Sequence, residues 1–575
     1  MKARVALIAL AFACAHESAS TGAAPAATVQ QVSSAAAQGA PAQPAAPAAP
    51  GATAAPAIPG SESAVPAPST DAATQPAGSA ATKHSDGPPG GTSTAAQTAL
   101  PSAPAAPAVP LMPDEAFRDQ PPKPFASQPR FQAPKPVERK LKNGARVLVV
   151  TNHSVPLVAI DVRFLHGIDA EPAGKGGLAS YVADMVDEGT ESRTSEKLSI
   201  EIEDLAAHIS AGASLESTTA HLNCLVETLP QALDIFADII QHPAFRKEDV
   251  DRVRTLRLTS LAQKKASANA IAGDEAARIL YGDKHPWGQP AGGTPQSLTA
   301  IDRQDLVAFH RAFWVPNDAI ISVSGDVTPD QIVKLLNEKF AGWTPHPVMK
   351  LHLPKIPALG PRSIDALEKA NTTQSQVWVL GRLFAAHLTT DSIPLRVANM
   401  TLGGLFSSRL NMNLREKNGY SYGVSSGVSL MRSVGTFSAS GSIIGKKTVE
   451  AVAEYEKELS TFADGEVTEQ ELASAKEALI RGIPSALETN DAVSGAMANL
   501  VSLGLPLDYY QTVAGRIAKV SRADVKRVVT KWVKPKQWPI LIVGPVGASK
   551  EALEKLSLGP VRLSPAGGGE PGASK

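Results

Sequence analysis

Two periodicities organise the apolar positions of this chain. Ala145–Val150 and Leu157–Phe164 are β-branched, apolar runs bounded by turn residues, and they predict two paired strands. Beyond them the period lengthens. In Gly177–Val186 the residues Leu178, Val182, Met185 and Val186 recur at helical spacing, which predicts a helix. Further helices are predicted over Thr228–Ile240, over Lys247–Lys265 with Asp249 and Asp251 in its first turns, and over Asp302–Trp314. A strand, Ala319–Val323, follows the last of these. Runs of strands with helices segregated to one face predict a layered α+β domain.

The pattern occurs twice. Asp305, Pro316, Gly325 and Val327 recur with the same spacings as Asp524, Pro535, Gly544 and Val546. Each copy sets a tryptophan (Trp314, Trp532) before the proline and an apolar strand (Ala319–Val323, Pro539–Val543) after it. A weaker echo aligns Val182-Ala183-Asp184-Met185 with Val397-Ala398-Asn399-Met400, and Gly189 with Gly404. The fold expected is therefore a duplication: two homologous layered domains, over 131–350 and 351–561.

Composition assigns the rest of the 575 residues. From Thr21 to Pro110 the chain is mostly Ala, Pro, Ser, Thr and Gly, and between Phe12 and Phe117 it has no aromatic residue. Such a stretch cannot bury enough apolar surface to offset its ordering entropy, so 21–130 reads as a disordered Ala/Pro-rich spacer and 562–575 as a Gly/Pro-rich tail. Residues 1–20 read as a signal segment, with Lys2 and Arg4 before the apolar run Val5–Ala13. Three readings stand side by side: cleavage after the small-x-small triplet Ala11-Phe12-Ala13, lipidation at Cys14 as in a lipoprotein, or a chance apolar start on a cytosolic protein. The first two place the protein in the periplasm or cell envelope, or outside the cell. Lys plus Arg equals Asp plus Glu at 55 each, which leaves no basic footprint for nucleic acid. Two cysteines, Cys14 and Cys224, exclude a disulfide framework and a Cys-rich zinc site.

The segment Gly176-Gly177-Leu178-Ala179-Ser180-Tyr181-Val182-Ala183-Asp184-Met185, followed by Glu188-Gly189-Thr190, resembles the active-site helix of the insulinase/pitrilysin metallopeptidases, the inverted zincins. Those enzymes carry His-x-x-Glu-His there: two histidines one turn apart bind zinc, and the glutamate acts as general base on the zinc-bound water. Here the three positions are Ser180, Ala183 and Asp184, a degenerate motif. The family's third ligand is a glutamate on a later helix, and the matching stretch Arg254–Lys264 has no acidic residue, with Thr255, Thr259 and Ser260 its polar candidates. No metal is expected in this chain. Leu141-Lys142-Asn143-Gly144, Tyr281–Gly288 and Pro316-Asn317 leading to Gly325-Asp326-Val327 extend the resemblance over the whole folded part. Ile209–Leu225 resembles the family's edge strand, with Ser210–Ser214 as the part that would take up substrate.

The second copy keeps what the first lacks. Leu402-Gly403-Gly404-Leu405-Phe406-Ser407-Ser408-Arg409-Leu410, leading into Leu414-Arg415-Glu416-Lys417-Asn418-Gly419-Tyr420-Ser421-Tyr422, is close to the family's Gly-rich turn and Arg-Glu-Lys-x-Gly segment. In competent members two such halves face each other as a clamshell, and the half opposite the zinc supplies an Arg and a Tyr to the substrate carbonyl; Arg415 and Tyr422 match them. Read without the family, Arg415 complements a helix dipole and Tyr422 is a packed strand aromatic beside Tyr420. The resemblance implies the non-catalytic subunit of a two-subunit periplasmic zinc endopeptidase, inactive alone. Its heterodimer partner would carry the zinc, and its substrate would be a peptide or unfolded protein. The alternative is an inactive scaffold or peptide-binding module of the same fold. His242 and His285 read as loop residues, and Ala173-Gly174-Lys175 lacks the earlier glycine of a phosphate loop.

Overall fold

The computed structural model describes residues 131–384 and 390–566. The expected signal segment, the spacer, Cys14 and the last residues of the tail lie outside the described residues.

The first half contains strands β1 (Val137–Lys140), β2 (Arg146–Thr151) and β3 (Leu157–Phe164), helices α1 (Leu178–Met185) and α2 (Ser195–Asp204), and strands β4 (His208–Ala213) and β5 (Thr218–Leu225). Helices α3 (Leu229–Gln241), α4 (Lys247–Lys264), α5 (Ala268–Tyr281), α6 (Pro295–Ala300) and α7 (Arg303–Phe313) follow, then β6 (Ala319–Gly325) and α8 (Pro329–Lys339). The second half has β7 (Ile364–Glu368), β8 (Gln374–Arg382), α9 (Ser392–Asn399), the short α10 (Arg409–Asn411), β9 (Ser421–Leu430) and β10 (Gly435–Ile444). It continues with α11 (Thr448–Ala463), α12 (Glu469–Ser485), α13 (Asn490–Ser502), α14 (Tyr509–Ala518), α15 (Arg522–Trp532), β11 (Ile540–Gly544), α16 (Lys550–Lys555) and β12 (Val561–Pro565).

Among the described residues these strands form two six-stranded sheets, ordered β1-β2-β6-β3-β5-β4 and β12-β7-β11-β8-β10-β9. Place for place, β7 to β11 stand where β2 to β6 stand, so the duplication read from spacing is a duplication of topology. Its repeated residues have local causes. Asp305 and Asp524 are each the third helical residue of a capping box, closed on Asp302 and Ser521. A Cβ at Gly325 would run into the Leu157 carbonyl, and one at Gly544 into Ser375. The outer strands differ: β1 precedes its repeat and runs antiparallel to β2, whereas β12 follows its repeat and runs parallel to β7. The chain thus stays in the sheet to Pro565, past the expected start of the tail.

Two expectations are corrected. β2 and β3 do not pair with each other, because β6 lies between them, parallel to β2 and antiparallel to β3. β6 is buried along its whole length and takes the centre of the sheet, and the link after β2 passes over its end, where Asn152 donates to Gly325 and Asp326 to Leu157. Nor do the helices keep to one face. Val158, Ile160, Val162 and Phe164 of β3 join the core under the first-half helices, while Asp161 and Arg163 point the other way, toward α13 of the second half. Conversely, Trp378 and Leu380 of β8 with Leu541 and Val543 of β11 pack on Ala272, Ala276 and Leu280 of α5, a first-half helix. Each half therefore lends one helix to the other's sheet. The α5 contact is apolar; the α13 contact sets polar pairs beside apolar packing, for Leu148, Val150 and Ile320 of the first sheet share a core cluster with Val493, Met497 and Leu500 of α13.

Candidate functional site

Helix α1 is held at its start by Gly177 and Glu171. Gly177 adopts φ 88, and a Cβ there would come within 2.8 Å of the Gly292 carbonyl oxygen. The Glu171 carboxyl accepts from the Gly177 and Ala179 N–H groups at 3.1 and 2.9 Å. Burial pushes that carboxyl up to about 8, against the pull of the two N–H bonds.

The degenerate motif positions face α4, and the group that meets them is Arg257, 11% exposed. Its guanidinium pairs with Asp184 and donates to Ser180 Oγ at 2.7 Å, to the Gly177 carbonyl at 3.3 Å and to the Gly292 carbonyl at 3.2 Å. It also lies 5.1 Å from the centroid of the Tyr181 ring. Ser180 Oγ in turn reaches the Gly177 and Ala291 carbonyls at 3.0 and 3.1 Å. Ala183 is buried and offers no donor. Thr255 and Thr259 turn back onto their own helix, donating to the carbonyls of Asp251 and Thr255 at 2.9 Å each.

This donor set does not fit zinc, which needs about three protein ligands. One position is an alanine, the serine is spent on carbonyls, and the carboxylate is already paired with a buried cation. Among the described residues no group of three His, Cys, Asp or Glu side chains could hold a metal ion. Beside α1, β4 has one strand neighbour, β5, and forms the sheet edge that carries Ser210.

The second half presents its candidate residues outward. The chain after α9 continues as a π-helical segment, Met400–Gly404, and the chain after α10 as another, Met412–Lys417, so Arg415 lies in a π turn rather than an α turn. Asn418 caps it, Gly419 turns left-handed at φ 64, and β9 starts at Ser421. Arg415 and Tyr422 are brought together. The guanidinium lies 4.8 Å from the Tyr422 ring centroid and 4.6 Å from that of Phe406. Arg415 Nε lies 3.1 Å from Glu416 Oε1; among the described residues neither its terminal nitrogens nor the Tyr422 hydroxyl has a protein hydrogen-bond partner. Tyr422 is 84% exposed, so it is no packed strand aromatic, whereas Tyr420 packs against the core.

The frame behind this pair is tied by hydrogen bonds. Asn399 donates to the Ser426 carbonyl and accepts from Ser426 Oγ, both at 2.8 Å, and Asn411 accepts the Val424 N–H at 3.2 Å. These amides occupy the outer edge of β9, which α-helical neighbours would otherwise leave unpaired. Phe406, Arg257 and the two asparagines were not singled out in the sequence. The remaining candidates are structural: His285 accepts from the Trp287 N–H at 3.2 Å, His242 caps α3, and Lys175 pairs with Asp305 at 2.6 Å.

Two α+β repeats and a helix occupying the zinc-motif position define a metallopeptidase-like scaffold. The description "Insulinase (Peptidase family M16)" matches residues 146–284, and "Peptidase M16 inactive domain" matches residues 300–479. The chain belongs to the M16 (insulinase) family. An uncharacterized zinc protease of Mycobacterium leprae is 26% identical over 426 residues, 72% of this chain and 93% of that protein. The non-peptidase homolog YmxG of Helicobacter pylori is 27% identical over 387 residues, 67% of this chain and 88% of that one. The crystal structure of a peptidase M16 inactive domain from Pseudomonas fluorescens has the same fold, with a TM-score of 0.66 at 22% identity over 71% of this chain and 98% of that chain.

Proposed function

We propose that this chain is the non-catalytic, substrate-binding subunit of a two-subunit zinc metalloendopeptidase of the insulinase type, working in the periplasm or cell envelope. Its partner would be a homologous chain with an intact His-x-x-Glu-His helix, and the substrate a peptide or unfolded protein. The observation that carries the reading is the pairing of a spent motif with an outward one: Ser180 and Asp184 are taken up by Arg257, while Tyr422 stands exposed and Arg415 half-buried beside it, with hydrogen-bond donors to spare.

In such a complex the guanidinium, in contact with two rings, and the adjacent phenol donate to a substrate carbonyl as negative charge grows on its oxygen. The zinc that activates water belongs to the partner. Tyr422→Phe keeps the ring over Arg415 and removes one donor. In a reconstituted complex kcat should fall on the order of 10²–10³ with melting temperature unchanged. Unaltered turnover in an intact complex would leave the pair as scaffold and favour the inactive peptide-binding reading.

A further inference from the structure

The relation between Arg257 and the motif positions reaches beyond the absence of ligands. Zinc in a His-x-x-Glu-His site does two things: it supplies positive charge and it ties the motif helix to the helix that carries the third ligand. Both tasks are done here by one side chain. Arg257 belongs to α4, and its guanidinium bonds α1 through Asp184, Ser180 and the Gly177 carbonyl. Through the Gly292 carbonyl it also bonds the turn before α6. The two side chains it binds, Ser180 and Asp184, occupy the two histidine positions of the motif.

We infer that Arg257 is a protein-built cation standing in the metal's place, so that this site is a metal-free staple that excludes divalent metal by charge. The consequence is specific. Restoring the two histidines does not restore zinc binding while Arg257 is present, because a zinc ion would lie directly against the largely buried guanidinium.

The test uses the full-length, metal-stripped chain titrated with zinc. Ser180→His with Asp184→His places two imidazoles one helical turn apart. With Arg257 intact, this variant should bind zinc no better than the wild type. Adding Arg257→Met, of similar reach and no charge, should tighten binding at least tenfold, whereas Arg257→Lys, which keeps the charge, should not. If the methionine variant does not fold, Arg257→Gln keeps hydrogen-bonding capacity without charge and makes the same comparison. Equal zinc affinity with and without the positive charge overturns the inference. A second readout needs no metal: a chelator should leave the wild-type melting temperature unchanged, while Arg257→Met on the wild-type background should lower it by on the order of 5 °C. A chelator-sensitive wild type would also overturn it.

Discussion

The polar contact between the first sheet and α13 makes a quantitative prediction. His221 on β5 lies between two carboxylates, with Nδ1 at 3.0 Å from Asp161 Oδ1 and Nε2 at 2.8 Å from Asp491 Oδ1. Asp161 also accepts from Ser494, and Asp491 from Asn223 at 2.7 and 2.9 Å; the His208 ring is 6.5 Å away. Burial acts to lower the imidazole's pKa, but the hydrogen bonds and charges of Asp161 and Asp491 outweigh it and raise it from 6.5 to about 9. At about 1.36 kcal/mol per pH unit that rise is worth about 3 kcal/mol, and because Asp491 is 45% exposed, solvent screening brings the expectation to about 2 kcal/mol. Because the folded value is the higher one, this stabilisation is fully present below pH 6.5, fades as pH rises, and is lost above about 9. Urea denaturation followed by tryptophan fluorescence, on wild type and on His221→Gln, isolates it. The wild type should be the more stable by about 2 kcal/mol at pH 6, and the gap should close by about pH 9.5. A gap of the same size at both pH values would refute a charged His221 between its two partners.

Two further perturbations probe the second half. Asp391 is buried and bonded to Arg527, to Trp532 Nε1 at 2.8 Å and to Lys531 at 2.9 Å; although burial opposes ionisation, these partners hold its carboxyl far below the usual range. Its contribution is present above the ordinary carboxylate pKa and fades in acid, so Asp391→Asn should cost about 2 kcal/mol at pH 7 and progressively less below pH 4, read by denaturation across that range. Gly403 approaches the Ser426 backbone too closely for a side chain, so Gly403→Ala should cost about 1–3 kcal/mol and loosen β9; calorimetry showing an unchanged melting temperature would count against that packing.

What the sequence reveals of the fold is what is encoded locally. Asp305 and Asp524 advertise capping boxes, and Gly325 and Gly544 advertise close backbone approaches, so the duplication and its strands can be read from spacing. The exchange of α5 and α13 leaves no such mark. Leu280 and the small Ala272 and Ala276 look like any modest helix face until the sheet they meet is known, and that sheet belongs to residues far along the chain. The same holds for β6, whose insertion between β2 and β3 is decided by pairing across the whole half. At the site, Ser180, Ala183 and Asp184 follow from family resemblance, but a search of α4 for an acidic ligand passes over Arg257. Asp184 carries a charge that needs a counter-ion, and Arg257 on the facing helix supplies it. Phe406 escapes notice for a similar reason: only the π turn that carries Arg415 shows which ring lies under the guanidinium.

The two halves share one topology and differ in the direction in which their polar groups are spent. After the second central strand of the first half, α1 turns Ser180 and Asp184 onto Arg257, and the hydrogen bonds are consumed inside the protein. After the corresponding strand of the second half, the polar groups that turn inward are amides: Asn399 and Asn411 hold the edge of β9. That leaves the phenolic donor of the same region, Tyr422, in solvent and the charged one, Arg415, partly exposed against its ring. A ligand arriving from outside therefore meets usable donors on the second half and a closed staple at the motif of the first. In the complex proposed above, the degenerate zinc motif and the Arg–Tyr pair would divide the labour between the two repeats, with exposure, as much as residue type, deciding which of them meets another molecule.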